Sequence, residues 1–159
     1  MGLLDSIVGR REERSPNESL VDSLSDLDPQ LGNAFSSYLL NRSRLSVLSR
    51  EASEQFQYSK SSTRTEQGRA MDPFFREMHK LVGDQAKLIT TMEGIAKKRK
   101  FRMARALGEG RQSVNKTLDT LARIAAASND PSINRLQGLQ DAMHMYRSVE
   151  QSVLWPALQ

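Results

Sequence analysis

Residues 97–111 carry the side chains with the clearest potential for chemistry, because they form a dense cluster of cations. The stretch reads KKRKFRMARALGEGR and contains seven basic residues: Lys97, Lys98, Arg99, Lys100, Arg102, Arg105 and Arg111. Only one acidic residue, Glu109, lies among them. Lys and Arg at this density can bind the phosphates of nucleic acids or lipid headgroups. The same pattern is also typical of the solvated face of an amphipathic helix, and the sequence leaves both interpretations open.

A helical wheel places most of this cluster opposite the apolar side of the predicted helix. Phe101 falls among the outward cations, and a ring in that position suits base stacking or insertion among lipid headgroups. Alternatively, Phe101 packs against another helix or subunit. Arg99 falls on the apolar stripe, so either the core ends there or Arg99 pairs with an acid from another helix. The predicted polyanion-binding residues are Lys97, Lys98, Phe101, Arg102, Arg105 and Arg111.

Catalytic and metal-binding patterns are missing from the sequence. The two histidines, His79 and His144, are far apart, neither has a carboxylate at metal-ligand spacing, and there is no cysteine. No nucleophile elbow, nucleotide-binding loop or dinucleotide fingerprint is present, and "GEGR" is too short for a phosphate loop. We therefore expect a protein that is not an enzyme and that has no cofactor and no metal.

The first fourteen residues, MGLLDSIVGRREER, form a second candidate site. Gly2 and Ser6 match the N-myristoylation pattern, and a single acyl chain usually needs a nearby basic signal such as Arg10 and Arg11. Without acylation, the apolar residues could insert into a neighbouring subunit or lie on a membrane. The predicted anchor comprises Gly2, Leu3, Leu4, Ile7, Val8, Arg10 and Arg11.

Charge and composition indicate the broad class of protein. Residues 1–71 hold nine Lys/Arg against ten Asp/Glu, whereas residues 72–159 hold fourteen against nine, so the positive field belongs to the second half. The 159-residue chain is long enough for one domain with a core. The lack of cysteine favours an intracellular or virion-interior setting, and no signal peptide or membrane-spanning run is evident.

The dipeptide Asp-Pro occurs three times, at residues 28–29, 72–73 and 130–131, each time before an apolar pattern of helical period. Aspartate accepts backbone N–H bonds at an N-cap, and proline suits the first helical position. We therefore predict helices beginning near Pro29, Pro73 and Pro131. The polar, Ser/Thr-rich stretch before Pro73 reads as a linker.

After Pro73 the apolar residues repeat in steps of four and three, which is typical of bundles and coiled coils. The predicted helix continues to Leu107, a length of about 50 Å at ~1.5 Å per residue, and Gly108–Gly110 provide a break. Because a helix of that length needs covering, we predict self-association. The predicted seam between subunits comprises Phe74, Met78, Leu81, Leu88, Met92 and Ile95.

These patterns predict an all-α fold: an elongated antiparallel helical bundle or coiled coil with a short N-terminal arm. The predicted segments are an arm at 1–16, a helical segment at 17–57, a linker at 58–71 and a long-helix region at 72–155. Residues 72–154 resemble the middle of BAR-type membrane-bending coiled coils, but the third long helix is missing, so no residue role is transferred. The general build is also similar to that of small virion or bacteriophage structural proteins.

The predicted function is a non-enzymatic helical assembly protein that self-associates and presents its basic face to nucleic acid or another acidic surface. Its expected partners are further copies of itself, other assembly proteins and non-specific nucleic acid. One alternative is a peripheral membrane protein that uses the N-terminal anchor and the basic face on anionic lipid. A second alternative is an adaptor that binds only proteins.

Overall fold

The computed structural model describes residues 16–58, 64–126 and 132–159, and every regular element in these ranges is helical. In chain order the helices are α1 (Pro16–Leu27), α2 (Pro29–Tyr58), α3 (Arg64–Arg99), α4 (Ala104–Ala126) and α5 (Ser132–Val149). A π-helical turn, Glu150–Leu154, and the short α6, Trp155–Leu158, extend α5 to the end of the chain. The prediction of an all-α helical bundle is confirmed.

Helices α2 to α5 form an up-and-down bundle. Tyr38 of α2 bonds to Gln85 of α3, and Arg44 bonds to Glu77, so residue numbers rise along one helix as they fall along the other. Helix α4 packs between α3 and α5, and α1 folds back onto α2. This antiparallel order brings the start of α2, the α3–α4 connection and the end of α6 to one end of the bundle. We call this the α3–α4 end.

The Asp-Pro signal at 28–29 starts a helix as predicted. Asp28 lies between α1 and α2, and its Oδ1 accepts the backbone N–H of Gln30 at 2.9 Å and that of Leu31 at 3.4 Å. These bonds satisfy donors that the helix itself leaves free. Helix α5 begins at Ser132, and Pro131 lies outside the described residues.

The predicted start at Pro73 is wrong, because α3 begins at Arg64 and Pro73 lies inside it. The predicted linker is therefore helical over residues 64–71, while residues 59–63 are not described. Proline inside a helix costs about 3 kcal/mol, and core packing on both sides of it offsets that cost. Met71 before the proline and Phe75 after it are both buried. Asp72 also bonds to the buried Arg135 of α5 at 2.6 Å.

Helix α3 buries a long four-three repeat within the bundle. The repeat comprises Met71, Phe75, Met78, Val82, Gln85, Ile89, Met92 and Ala96. Of the predicted subunit seam, Met78, Leu81 and Met92 are buried. Phe74, Leu88 and Ile95 are half-buried and pack against the same core. All six side chains therefore contact the core of their own chain, and a contact between subunits through the half-buried three stays a prediction.

A chain of buried hydrogen bonds connects α2, α3 and α5. Gln85 Nε2 donates to the Tyr38 main-chain oxygen at 2.9 Å and to Tyr146 Oη at 3.0 Å. The Tyr146 hydroxyl donates to Tyr38 Oη at 2.7 Å, and the Glu150 carboxylate lies near both tyrosines. Arg42 Nε donates to Glu150 Oε2 at 2.7 Å. Burial raises the pKa of both tyrosine hydroxyls well above the ordinary range, so they remain neutral donors.

The π-helical turn begins at Glu150 and is followed by Trp155, and both residues lie beside Tyr38. Pro156 lacks an N–H and its ring crowds the carbonyl four residues earlier, and a wider π turn relieves such crowding. Trp155 packs edge-on against Phe35 and Tyr38, with ring centroids 5.6 and 6.0 Å apart. The C-terminal residues thus cover the buried polar groups with an aromatic cluster.

We expect Gly32→Ala to destabilise the packing of α1 on α2. A methyl group at Gly32 would collide with Ser25 Oγ and lie 2.8 Å from Ser25 Cα, so the two backbones would have to separate. The expected loss in free energy of unfolding is about 1–3 kcal/mol, measured by urea denaturation. The control is Gly94→Ala, because nothing lies within 4 Å of that Cβ position. It should stabilise α3 by about 0.5–1 kcal/mol, and equal effects of both substitutions would contradict the close approach.

We expect Glu150 to make the protein less stable as the pH rises. Burial raises the pKa of its carboxyl, although Arg42 lowers it, so the folded chain binds this proton more tightly than the unfolded chain. The stabilising contribution is complete below the unfolded pKa of about 4.3 and is lost as the pH rises through the higher folded pKa. As the pH rises from about 4.3 through the folded pKa, the wild-type protein should therefore lose stability relative to Glu150→Gln. Urea denaturation at a series of pH values measures this difference.

Glu93 provides a control of the opposite sign for that experiment. Hydrogen bonds from Arg111 and Lys97 lower the pKa of the Glu93 carboxyl. Its stabilising contribution is therefore present above about pH 4.3 and is lost as the pH falls through the lower folded pKa. Wild type should lose stability relative to Glu93→Gln on acidification. If the stability difference from wild type changes with pH in the same direction for both variants, burial does not disfavour the charged form of Glu150.

Candidate polyanion-binding site

The basic cluster lies on a tight turn between α3 and α4 rather than on one continuous helix. We call residues Lys97–Arg105 the basic turn. Phe101 N donates to the Ala96 oxygen at 2.8 Å, and Lys100 N donates to the Lys97 oxygen at 3.2 Å. Lys100 has a φ of 57°. This combination is the Schellman arrangement, in which a left-handed residue after the helix lets two backbone donors satisfy its last carbonyls.

The predicted helix from Pro73 to Leu107 is therefore wrong at its end, and so is the predicted break at the glycines. Gly108 and Gly110 lie inside α4, where their lack of a side chain permits close packing. A methyl group at Gly110 would lie 2.5 Å from Leu154 Cδ2, and one at Gly108 would lie 3.1 Å from Glu93 Oε1. The glycines thus make room for the π-helical turn and for the Glu93 carboxylate rather than ending a helix.

Glu93 is the anionic centre of this end of the molecule. Its side chain is 7% exposed; Lys97 Nζ lies 2.9 Å from Oε1, and Arg111 Nε lies 2.7 Å from Oε2. Because Arg111 belongs to α4, this carboxylate joins α3 to α4 just below the turn. Two of the predicted polyanion-binding residues, Lys97 and Arg111, are therefore ion-paired within the chain.

The other cations of the turn have different environments. Arg105 lies 3.5 Å from Glu109 in an exposed pair along α4, and such pairs contribute little to stability. Arg99 donates to the Leu27 main-chain oxygen at 3.3 Å, and its guanidinium lies 5.8 Å from the Phe101 ring centroid. Arg99 is also the last residue of α3, so the core stripe ends there, which is one of the two outcomes that the sequence allowed.

Lys98, Lys100 and Arg102 are exposed and make no ion pair or side-chain hydrogen bond with any described residue. They lie within five residues on one turn, at the C-terminus of α3, where the helix dipole favours positive charge. Lys97 and Arg105 lie beside them with side chains 66% and 91% exposed. The α3–α4 end thus presents several adjacent cations to solvent, and three of them have no internal counter-charge among the described residues.

Of the two interpretations that the sequence left open for Phe101, the structure agrees with packing inside the protein and not with an outward-facing ring. The ring is half-buried and packs against the hydrophobic core, because the Schellman turn rotates residues 100–103 away from the helical wheel on which the prediction was based. Sequence reasoning also missed Glu93, which lies four residues before Lys97. That spacing is the helical ion-pair signal that could have revealed it.

The N-terminal anchor and the two histidines, which the sequence also singled out, form no second site among the described residues. The predicted anchor, from Gly2 to Arg11, lies outside the described residues. His79 is half-buried and His144 is exposed. Within residues 16–58, 64–126 and 132–159, no group of His, Asp and Glu is placed to hold a metal ion, and no helix has an apolar stretch long enough to cross a bilayer.

Comparison with known proteins identifies no relative. No protein-family model matches the chain, and no curated protein or solved structure is significantly similar to it. The site must therefore be interpreted from its own geometry.

We expect Lys100→Gly to stabilise the protein. A side chain in the left-handed region costs about 1–2 kcal/mol, and glycine removes that clash while keeping the turn. Urea denaturation should show a gain of about 1 kcal/mol. The matched control is Lys98→Gly, which removes the same charge from within α3 and should cost about 1 kcal/mol. A loss of stability in both variants would contradict the strained turn.

Proposed function

We propose that this protein is a non-enzymatic helical assembly protein that binds nucleic acid through its basic turn, mainly by contacts to phosphate groups. The observation that carries the proposal is the set of adjacent exposed cations, Lys98, Lys100 and Arg102, which lack a counter-charge among the described residues. On a helix surface, an acidic residue three or four positions away can neutralise a cation, and Lys98 and Arg102 have no such neighbour. Here the nearby carboxylate, Glu93, is already engaged by Lys97 and Arg111.

The backbone at Lys100 supports the same proposal. A positive φ favours glycine, yet a lysine occupies the position that determines the turn. Backbone strain of this kind tends to occur at functional sites, where the side chain is needed despite its cost. In this turn the lysine adds a cation at the tip, between Lys98 and Arg102.

The expected mode of binding is electrostatic and only weakly dependent on sequence. The described residues contain no cluster of metal-binding side chains for a zinc module and no sheet of aromatic residues, which are two common devices for base readout. Contacts from three cations to phosphates predict a salt dependence with a log–log slope of about −2 to −3. The basic turn therefore suits packaging or tethering of nucleic acid better than recognition of one site.

Self-association remains part of the proposal, but through a surface other than the predicted seam. Leu40 and Val47 are exposed on α2, with 74% and 41% of their surface accessible, and lie two helical turns apart. Tyr58 and Met145 are also exposed. These apolar side chains are candidates for contacts with other copies or with assembly partners. The interior of a virion or a bacteriophage particle is one setting in which a small helical protein would combine both properties.

We expect the double variant Lys98→Glu/Arg102→Glu to bind nucleic acid at least tenfold more weakly than wild type. Fluorescence anisotropy with a labelled DNA of about 20 nucleotides, at roughly 50 and 200 mM salt, measures both the affinity and its salt dependence. The matched control is Lys87→Glu/Lys116→Glu, which changes the net charge equally at exposed positions along α3 and α4. This control should retain most of the affinity.

Equal losses in the two double variants would mean that total charge rather than the basic turn drives binding, which would contradict the proposal. Deletion of residues 2–9 separates the membrane alternative, because it should reduce binding to anionic vesicles and leave DNA binding unchanged. Size-exclusion chromatography with light scattering, alone and with DNA, tests self-association independently. A monomer under all conditions would overturn the assembly role but not the binding role.

A further inference from the structure

An apolar groove of about 600 Å³ lies beside the basic turn at the α3–α4 end. It lies between α1, the start of α4 and the C-terminal α6. Its lining includes Leu27, Phe101, Met103, Ala106 and Pro156. Leu27 is 45% exposed, which is unusual for a leucine beside the core, and Phe101 is half-buried. The groove therefore exposes apolar and aromatic surface next to the unpaired cations.

Among the described residues that line the groove, the only charged side chain is cationic. Arg102 lines the groove, and Lys98 and Lys100 lie within four residues of it on the same turn. An occupant should therefore combine a negative charge outside the groove with a flat or apolar group inside it. The Arg99 guanidinium lies 5.8 Å from the Phe101 ring centroid, so a further cation lies close to the aromatic lining.

The arrangement of these groups distinguishes between two classes of polyanion. An anionic membrane would require apolar side chains that project beyond the cations into the lipid. In this protein the cations project further than the apolar side chains. Phe101 and Met103 are half-buried, whereas the three cations of the turn, Lys98, Lys100 and Arg102, are exposed. A recessed apolar groove beside several cations can admit one flat group that has separated from its neighbours. A nucleobase that has unstacked from the adjacent bases is such a group.

We infer that the protein prefers single-stranded nucleic acid, with one base entering the groove against Phe101 while the basic turn holds the flanking phosphates. This inference rests on the proposed function and deepens it by naming the class of nucleic acid. Paired and stacked bases of a duplex cannot enter the groove, so a duplex contacts only the cations. Stacking on an aromatic side chain tolerates any base, so the preference is for strandedness and not for sequence.

The test compares binding of a labelled 12-nucleotide single strand with that of a duplex of equal length, by fluorescence anisotropy on the full chain. Wild type should bind the single strand more tightly, and Phe101→Leu should weaken that binding by about fivefold or more while leaving duplex binding unchanged. Phe101→Tyr keeps the aromatic ring and should restore the preference. Circular dichroism and thermal melting verify that each variant is folded.

Phe74→Leu is the matched control, because Phe74 is another half-buried phenylalanine packed against the core but lies far along α3 from the turn. It should lower stability to a similar extent without changing the strand preference. If Phe74→Leu reduces single-strand binding as much as Phe101→Leu does, the effect is one of folding and the inference is overturned.

The remaining outcomes separate the inference from the proposed function. If Lys98→Glu/Arg102→Glu abolishes binding but Phe101→Leu leaves single-strand binding unchanged, the basic turn binds nucleic acid and the groove does not. If the wild-type protein binds neither the single strand nor the duplex, both the proposed function and the inference about the groove fail. If vesicles of phosphatidylserine and phosphatidylcholine bind in a Phe101-dependent manner and single strands show no preference over duplex, the groove is a lipid site and the inference is overturned.

Discussion

The buried polar cluster of Gln85, Tyr38, Tyr146 and Glu150 constrains how the helices pack. A buried polar group without a partner costs about 1–3 kcal/mol, so Tyr38, Gln85, Tyr146 and Glu150 must be brought together at one level of the bundle. A slip of one turn between α2, α3 and α5 would separate them by about 5.4 Å and break several bonds at once. Apolar contacts are compatible with many registers, whereas the hydrogen bonds that Gln85 Nε2 and the two tyrosines make to one another require this one.

The same register determines the chemistry of the α3–α4 end. With the helices aligned, Glu93 meets Arg111 in the space that Gly108 leaves open, and Leu154 packs where Gly110 lacks a side chain. The internal carboxylate is thereby satisfied. The exposed Lys98, Lys100 and Arg102 of the turn face solvent, and the adjoining groove between α1, α4 and α6 is formed by the same packing.

Much of the architecture could be predicted from local patterns. The Asp28 cap and the four-three repeat of α3 depend on neighbours within one helix, so periodicity and capping rules identified them. The predictions for Pro73 and for the glycines at 108 and 110 were wrong because a rule for local sequence was outweighed by packing against other helices. Pro73 looked like a helix start because proline suits that position, but the buried Met71 and the Asp72–Arg135 pair keep the chain helical before it. The glycines near 109 looked like a break, but they are needed for close approach.

The sequence by itself determined that the fold is all-α, that α2 starts directly after Asp28, and that a dense cluster of cations follows the apolar repeat of α3. The tertiary structure decided where that helix ends, which side chains cover one another and which cations remain without an internal partner. The physical reason is the separation of the partners along the chain. Glu93 and Arg111 are 18 residues apart, and Arg99 and Leu27 are 72 apart. Periodicity describes one face of one helix, whereas ion pairing depends on which helix lies opposite that face.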